Sequence, residues 1–363
     1  SSQKGPQRSA RRGGRWLYLG CCTPKNVAAY ARWPGVKALF HSKISIIFEM
    51  TSFAFVFPGQ GSQAVGMLDA WGDHPAVREA VQEASDALNE DLGALIHSGP
   101  KEALALTANT QPVMLLAGVA AWRVWCAEGG AKPMAVAGHS LGEYSALVAA
   151  GVLTLAQAVP LVRLRGAAMQ EAVPVGVGAM AAVLGLDADK VKAVCAEVTA
   201  QLGGSEVVEA VNFNDPGQTV IAGSKAAVDA ASVAVKAAGA KRALLLPVSA
   251  PFHSSLMKPA AEKLKLALAS LTLATPQIAV VNNIDVAVQT DADAIRDALY
   301  RQAFGPVRWV ECVQKLRAMG ATTLVECGPG KVLTGMTKRI DPELAGVALF
   351  DPATLQETQE LLA

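Results

Sequence analysis

One run, from Met134 through Gly138-His139-Ser140-Leu141-Gly142 to Gly151, constrains the chain more than any other stretch. A short apolar strand over 134–137 enters a Gly-x-Ser-x-Gly turn, and a helix rich in alanine and leucine leaves it. Strand, tight turn and helix together form the context of a nucleophile elbow. The flanking glycines permit strained backbone and close strand–helix packing. Ser140 is thereby set at a helix N-terminus, where backbone N–H groups favour developing negative charge. The bland alternative is a serine that merely caps the helix.

The body of the chain reads as strands alternating with helices, which implies a mainly parallel sheet covered on both faces. Phe53 to Phe57 is a fully apolar strand closed by Pro58-Gly59. Helical periods are expected over 76–88, 112–128 (with Pro112 in the first turn) and 155–171. From Gly176 the texture changes. A strand at 178–184, a helix at 188–202, strands at 207–213 and 219–222, a helix at 224–238 and a strand at 242–246 give the order of a ferredoxin-like unit. The fold class expected is α/β: an α/β-hydrolase-like large subdomain from 51–174 and 249–363, with a ferredoxin-like insert at 175–248. The large part resumes with a helix at 254–271 and a strand at 278–281. Helices at 292–301 and 307–319, a strand at 323–326 and a last helix at 355–362 follow.

Charge splits the chain. Residues 1–49 carry nine Lys or Arg against Glu49 alone, whereas the rest holds 23 basic and 30 acidic side chains. The basic leader, 1–50, has no clear period and is read as non-native or disordered sequence, with a transit peptide or a nucleic-acid-binding arm as alternatives. The acidic body argues against a nucleic-acid partner, and no uninterrupted apolar run reaches membrane-spanning length. Six cysteines lack C-x-x-C pairing and zinc-ligand spacing, so no metal is expected. Cys126, Cys195, Cys312 and Cys327 are expected to be buried free thiols of a cytoplasmic protein.

A serine nucleophile needs a base. Of the body's histidines, His74 and His97 lie in polar, loop-like surroundings. His139 adjoins the serine and points away from it, free to line a pocket. His253, in Pro247-Val-Ser-Ala-Pro-Phe-His-Ser, falls between the insert and the next helix, at a junction where clefts form. His253 is therefore the expected base. The acids Glu143, Glu171, Asp187 and Asp215 are available, but none occupies the strand-end loop of an ordinary hydrolase acid. A main-chain carbonyl or an amide is left to orient the imidazole. Arg165 sits in an otherwise apolar helix, in Leu-Arg-Gly-Ala-Ala-Met169, with Arg163 close by and expected on the solvent side. A buried guanidinium needs a carboxylate, from this chain or from a ligand.

These residues together resemble the free-standing bacterial malonyl-CoA:acyl carrier protein transacylases, over about residues 52–350. The resemblance is carried by Phe-Pro-Gly-Gln-Gly-Ser-Gln (57–63), Thr-Gln-Pro (110–112), Gly-His-Ser-Leu-Gly-Glu-Tyr (138–144) and Arg165-Gly166. Gly-Ala-Met (178–180), Val-Asn-Phe-Asn-Asp-Pro-Gly-Gln (211–218), Pro-Phe-His (251–253), Val-Asn-Asn (281–283), Arg-Gln-Ala-Phe-Gly-Pro-Val (301–307) and Gly-Pro-Gly-Lys-Val-Leu (328–333) follow in order. The resemblance implies malonyl transfer from malonyl-CoA, through a malonyl-serine, to the phosphopantetheine thiol of acyl carrier protein, supplying fatty acid synthesis. It implies Ser140 as nucleophile, His253 as base, and Gln60 with the Leu141 N–H as oxyanion hole. Arg165 would bind the malonyl carboxylate, and the backbone carbonyl of Gln302 would hold the histidine. His139, Phe252 and Met169 are expected at the substrate, with Phe252 crowding an α-methyl branch. Lys331, Lys241, Arg242 and Lys338 are the expected carrier-docking residues. No tightly bound cofactor is implied, coenzyme A entering only as thioester substrate, and the enzyme is expected to be a monomer. The alternatives are a serine hydrolase or thioesterase, a polyketide-type acyltransferase domain, and a non-catalytic carrier-docking domain.

Overall fold

The computed structural model describes residues 52–248 and 250–363, so the expectations for the leader, including Cys21 and Cys22, lie outside the described residues. The first strand, β1 (Phe53–Phe57), is buried along its whole length. Its phenylalanines meet indoles edge-on, Phe55 lying 5.4 Å from both Trp122 and Trp125. Such a strand fits only the middle of a covered sheet. It is paired in parallel on one side with β2 (Ala135–Gly138) and on the other with β8 (Thr323–Cys327). With β7 (Ala279–Val281) and β9 (Ala345–Leu349) the order is β7-β2-β1-β8-β9, parallel throughout. The loops after β1, β2, β7 and β8 all leave from one edge of this sheet. The carboxyl edge of an open parallel sheet is where such folds place their sites.

The second sheet contains β3 (Gly178–Leu184), β4 (Val208–Asp215), β5 (Gln218–Ser224) and β6 (Arg242–Leu245). Its order is β4-β5-β3-β6, antiparallel at every pairing, the arrangement of a ferredoxin-like unit. Alternation along β3 divides its side chains. Ala181 and Val183 pack under the helices Ala188–Leu202 and Lys225–Ala237, while Met180 joins the main core. The sheet is tied to the large part through backbone bonds, Phe213 N–H to Val307 O at 3.0 Å and Val307 N–H to Val211 O at 2.8 Å.

Several elements depart from the sequence reading. The helix expected from Pro112 begins five residues earlier and spans Thr107–Ala127, with Pro112 inside it. Asn109 and Thr110 side chains bond the carbonyls of Ala103 and Leu104, anchoring the extra turn on the helix Lys101–Ala105. That short helix and Leu92–Ser98 are too brief to show a period, and β9, Ala-Gly-Val-Ala-Leu, lacks strand-favouring residues at its start. The last helix spans Pro352–Leu362, starting earlier because Asp351 and Thr354 form a capping box. Cys126 is exposed on the solvent flank of its helix, unlike the three buried thiols. His74 is more than a solvated side chain, because its Nδ1 accepts the Ala76 N–H and caps the helix Pro75–Leu88. Among the described residues, no helix is long and apolar enough to cross a membrane.

Candidate active site

The turn after β2 is built on two glycines. A Cβ on Gly138 would lie 1.9 Å from the carbonyl of Gly142, and one on Gly142 would lie 2.0 Å from the Phe57 carbonyl oxygen. Only glycine permits that closeness. Ser140, between them, is held in left-handed backbone at φ +52°. This is the strain expected at an elbow. The helix Gly142–Ala149 begins directly behind it.

His253 enters from the segment that leaves β6, just ahead of a helical turn at Ser255–Met257 and the helix Lys258–Ala269. It too sits at positive φ, +64°. Its Nε2 lies 2.7 Å from Ser140 Oγ, and its Nδ1 lies 2.9 Å from the backbone carbonyl oxygen of Gln302. That carbonyl only accepts, so Nδ1 carries the proton and Nε2 is left to accept from the serine. Burial, followed by the Arg165 charge, pushes the imidazole pKa down to about 3, opposed by the Gln302 carbonyl. The base is therefore neutral at ordinary pH. The other acids considered for it are engaged elsewhere: Glu171 with Lys263, Asp187 as a helix cap, and Asp215 with Arg339.

Arg165 reaches the same point from the helix Leu155–Ala172. Gly166 lets that helix close on Thr107–Ala127, since a Cβ there would lie 2.7 Å from the Thr107 carbonyl oxygen. The guanidinium is 2 % exposed. It donates to Gln111 Oε1 at 2.9 Å, Gln302 Oε1 at 3.0 Å and Ser140 Oγ at 3.2 Å. Among the described residues no carboxylate forms an ion pair with it, and its Nε–H has no acceptor. Burial lowers its pKa. A buried cation that meets only neutral acceptors is costly by itself and suited to an incoming anion.

Three more residues complete the arrangement: Gln111 and Asn283, given no role in the sequence reading, and Glu143, named there only as an available acid. Gln111 Nε2 donates to Gln60 Oε1 at 3.3 Å and to Met169 Sδ at 3.8 Å, joining both to Arg165. Asn283, two residues past β7, accepts the Ser140 N–H at 2.7 Å and donates from Nδ2 to the Gly138 carbonyl at 2.7 Å. Glu143 Oε2 accepts from the Asn283 N–H at 2.9 Å and from Gln302 Nε2 at 3.0 Å. Burial raises the Glu143 pKa to about 7 against those hydrogen bonds. All three lie inside the quoted motifs at 110–112, 138–144 and 281–283, and that position was the available signal.

The remaining expected residues have surroundings of their own. His139 turns its Nε2 to Asn214 Oδ1 at 2.8 Å and stacks near Trp309. Phe252 is buried in the main core. Lys331 stands over the Phe350 ring ahead of the helix Val332–Ile340, and Lys338 is exposed in its last turn. Lys241 and Arg242 are exposed at the start of β6. No cluster of three or more His, Cys, Asp or Glu suited to a metal occurs among the described residues.

Residues 54–342 match the acyl transferase domain family. The malonyl CoA-acyl carrier protein transacylase of Salmonella typhimurium is 56% identical over 307 residues, 84% of this chain and 98% of that relative. The crystal structure of the acyl-carrier-protein S-malonyltransferase from Burkholderia pseudomallei shares 62% identity at a TM-score of 0.83, covering 85% of this chain and 99% of that one. A structure of a type II polyketide acyl-carrier protein in complex with its malonyl-transacylase gives 52% identity, a TM-score of 0.83 and coverage of 85% and 99%.

Proposed function

Because the chain belongs to the acyl transferase domain family, and within it to the malonyl-CoA:acyl carrier protein transacylases, we propose that it carries malonyl from coenzyme A to the phosphopantetheine thiol of an acyl carrier protein, supplying fatty acid synthesis. The observation that carries the reading is Arg165, a buried cation with no carboxylate in ion-pair contact among the described residues, within hydrogen-bond reach of the serine hydroxyl. The malonyl carboxylate supplies the missing partner, and the planar guanidinium can donate to it bidentately. A plain esterase has no use for that charge.

In the reaction His253 Nε2 takes the Ser140 proton as Oγ attacks the thioester carbonyl. The N–H groups of Leu141 and Gln60 receive the oxyanion. Collapse breaks the C–S bond, and the departing coenzyme A sulfur takes the proton from Nε2, leaving as the free thiol and returning the imidazole to its neutral form. The carrier thiol then gives its proton to the same nitrogen, attacks the malonyl-serine and restores the hydroxyl. Throughout, the Gln302 carbonyl does the orienting work that an acid does in ordinary triads. His139 and Met169 line the site, and Phe252 disfavours an α-methyl branch. The insert is taken as 175–248, its exit segment delivering the base. Lys331, Lys241, Arg242 and Lys338 form the basic face toward the carrier. The enzyme works as a cytoplasmic monomer without a tightly bound cofactor.

Intact-mass measurement after incubation with malonyl-, acetyl- and methylmalonyl-CoA tests this reading. A malonyl adduct is expected on wild type and none on Ser140→Ala. Arg165→Ala is expected to lose about a hundredfold in kcat/KM for malonyl-CoA while its slow acetyl reaction persists. Release of free malonate in place of transfer to the carrier would instead establish the hydrolase.

A further inference from the structure

The reading of Arg165 leaves open what aims its guanidinium, and the polar groups beneath the site bear on that. Gln302 is fully buried, and each end of its amide has a chemically fixed neighbour. Its Oε1 meets Arg165 Nη2, which can only donate; its Nε2 meets the Ser140 carbonyl and Glu143 Oε2, which accept. The amide therefore has one satisfied orientation. Glu143 Oε2 is shared with the backbone N–H of Asn283, the residue whose side chain clamps Ser140 N and Gly138 O across the strained turn. One carboxylate oxygen thus ties the arginine's acceptor and the serine's backbone clamp to a single point. Without it, two buried donors, Asn283 N–H and one hydrogen of the Gln302 amide, would lose their acceptor.

We propose that Glu143 is a positioning residue for acyl selection: through the Gln302 amide it holds the Arg165 guanidinium over Ser140, and through Asn283 it holds Ser140 beneath it. The proposal rests on the malonyl-transfer reading given above. Glu143 touches no reacting atom. Its effect falls on the choice between a dicarboxylic and a simple acyl group, because only the former uses Arg165. Glu143 acts here as a hydrogen-bond acceptor, since both partners donate to the same oxygen.

Initial rates of Ser140 acylation by malonyl-CoA and by acetyl-CoA, read by intact mass, give a malonyl-to-acetyl ratio for wild type, Glu143→Ala, Glu143→Gln and Glu143→Asp. The ratio is expected to fall about tenfold in Glu143→Ala. In Glu143→Gln, whose amide oxygen can take both hydrogen bonds, it is expected to recover most of the wild-type value. A folded Glu143→Ala with unchanged ratio overturns the proposal, as does a Glu143→Gln as impaired as Glu143→Ala. Should Glu143→Ala not fold, Glu143→Asp decides: withdrawal of the carboxylate by one methylene is expected to lower the ratio, and an unchanged ratio overturns the proposal. Wild type that takes up no malonyl would defeat the functional reading instead, so the two failures are distinguishable.

Discussion

The His253 imidazole and the Arg165 guanidinium share one buried space with Ser140, and the guanidinium charge acts on the imidazole. Burial comes first in holding the imidazole at about 3, well below its ordinary 6.5, and the Arg165 charge comes second. A lowered pKa keeps the base deprotonated, so acylation of the free enzyme is expected to show no acid limb near 6.5 from this group. Arg165→Ala removes the second cause and leaves the first. The acid limb of kcat/KM for acetyl-CoA should then move to higher pH, and a limb that stays put or moves lower contradicts the assignment. The strained backbone of Ser140 gives a second expectation. Ser140→Ala and Ser140→Gly both delete the hydroxyl and its bonds, but only glycine is at ease at φ +52°. Glycine ordinarily costs stability relative to alanine; here Ser140→Gly is expected to exceed Ser140→Ala by about 1 kcal/mol in urea unfolding. Equal or reversed stabilities would mean the turn is unstrained. Arg165 was legible in the sequence because a cation flanked by Leu164 and Gly166-Ala-Ala-Met in a largely apolar helix is an anomaly, whereas Arg163 pairs with Glu90. Gln111 and Glu143 were not, because their partners Arg165 and Gln302 lie 54 and 159 residues away.

At the scale of elements, the site is the meeting of β2's turn with two helices, and glycine decides whether they can meet. Gly142→Ala would drive a Cβ against the Phe57 carbonyl, backbone that cannot swing aside. The expected result is a loss of at least about 2 kcal/mol in urea unfolding together with loss of acylation. Full activity in that variant would show that the turn has room the packing denies it. Most elements were readable from apolar period and turn residues: β1 as a run of phenylalanine and valine, β3 and the helix Ala188–Leu202 at their observed limits. What escaped has a physical reason in each case. A five-residue helix has too few turns to display a face, and Pro112 signals a first turn even where a neighbouring helix extends the element in front of it. The strand β9 is specified by its partner β8 more than by its own residues.

At the scale of the whole molecule, the proposed transfer requires an acidic carrier protein to approach a body with more acidic than basic side chains, so docking is expected at a local basic face. Lys331 follows the sharp turn at the carboxyl end of β8, on the edge of the sheet that bears the site. Lys331→Ala is expected to raise KM for the carrier protein severalfold and flatten its salt dependence, leaving KM for malonyl-CoA unchanged. Carrier kinetics identical to wild type at low salt would remove Lys331 from the docking face. The two members of the reactive pair come from different parts of the fold. Ser140 stands on the parallel sheet, and His253 on the segment that leaves the antiparallel one. A chain still being made, extended past β2 but not yet to residue 253, owns the hydroxyl but not yet the imidazole. Such an immature molecule is chemically silent toward thioesters, and reactivity switches on only when folding is finished.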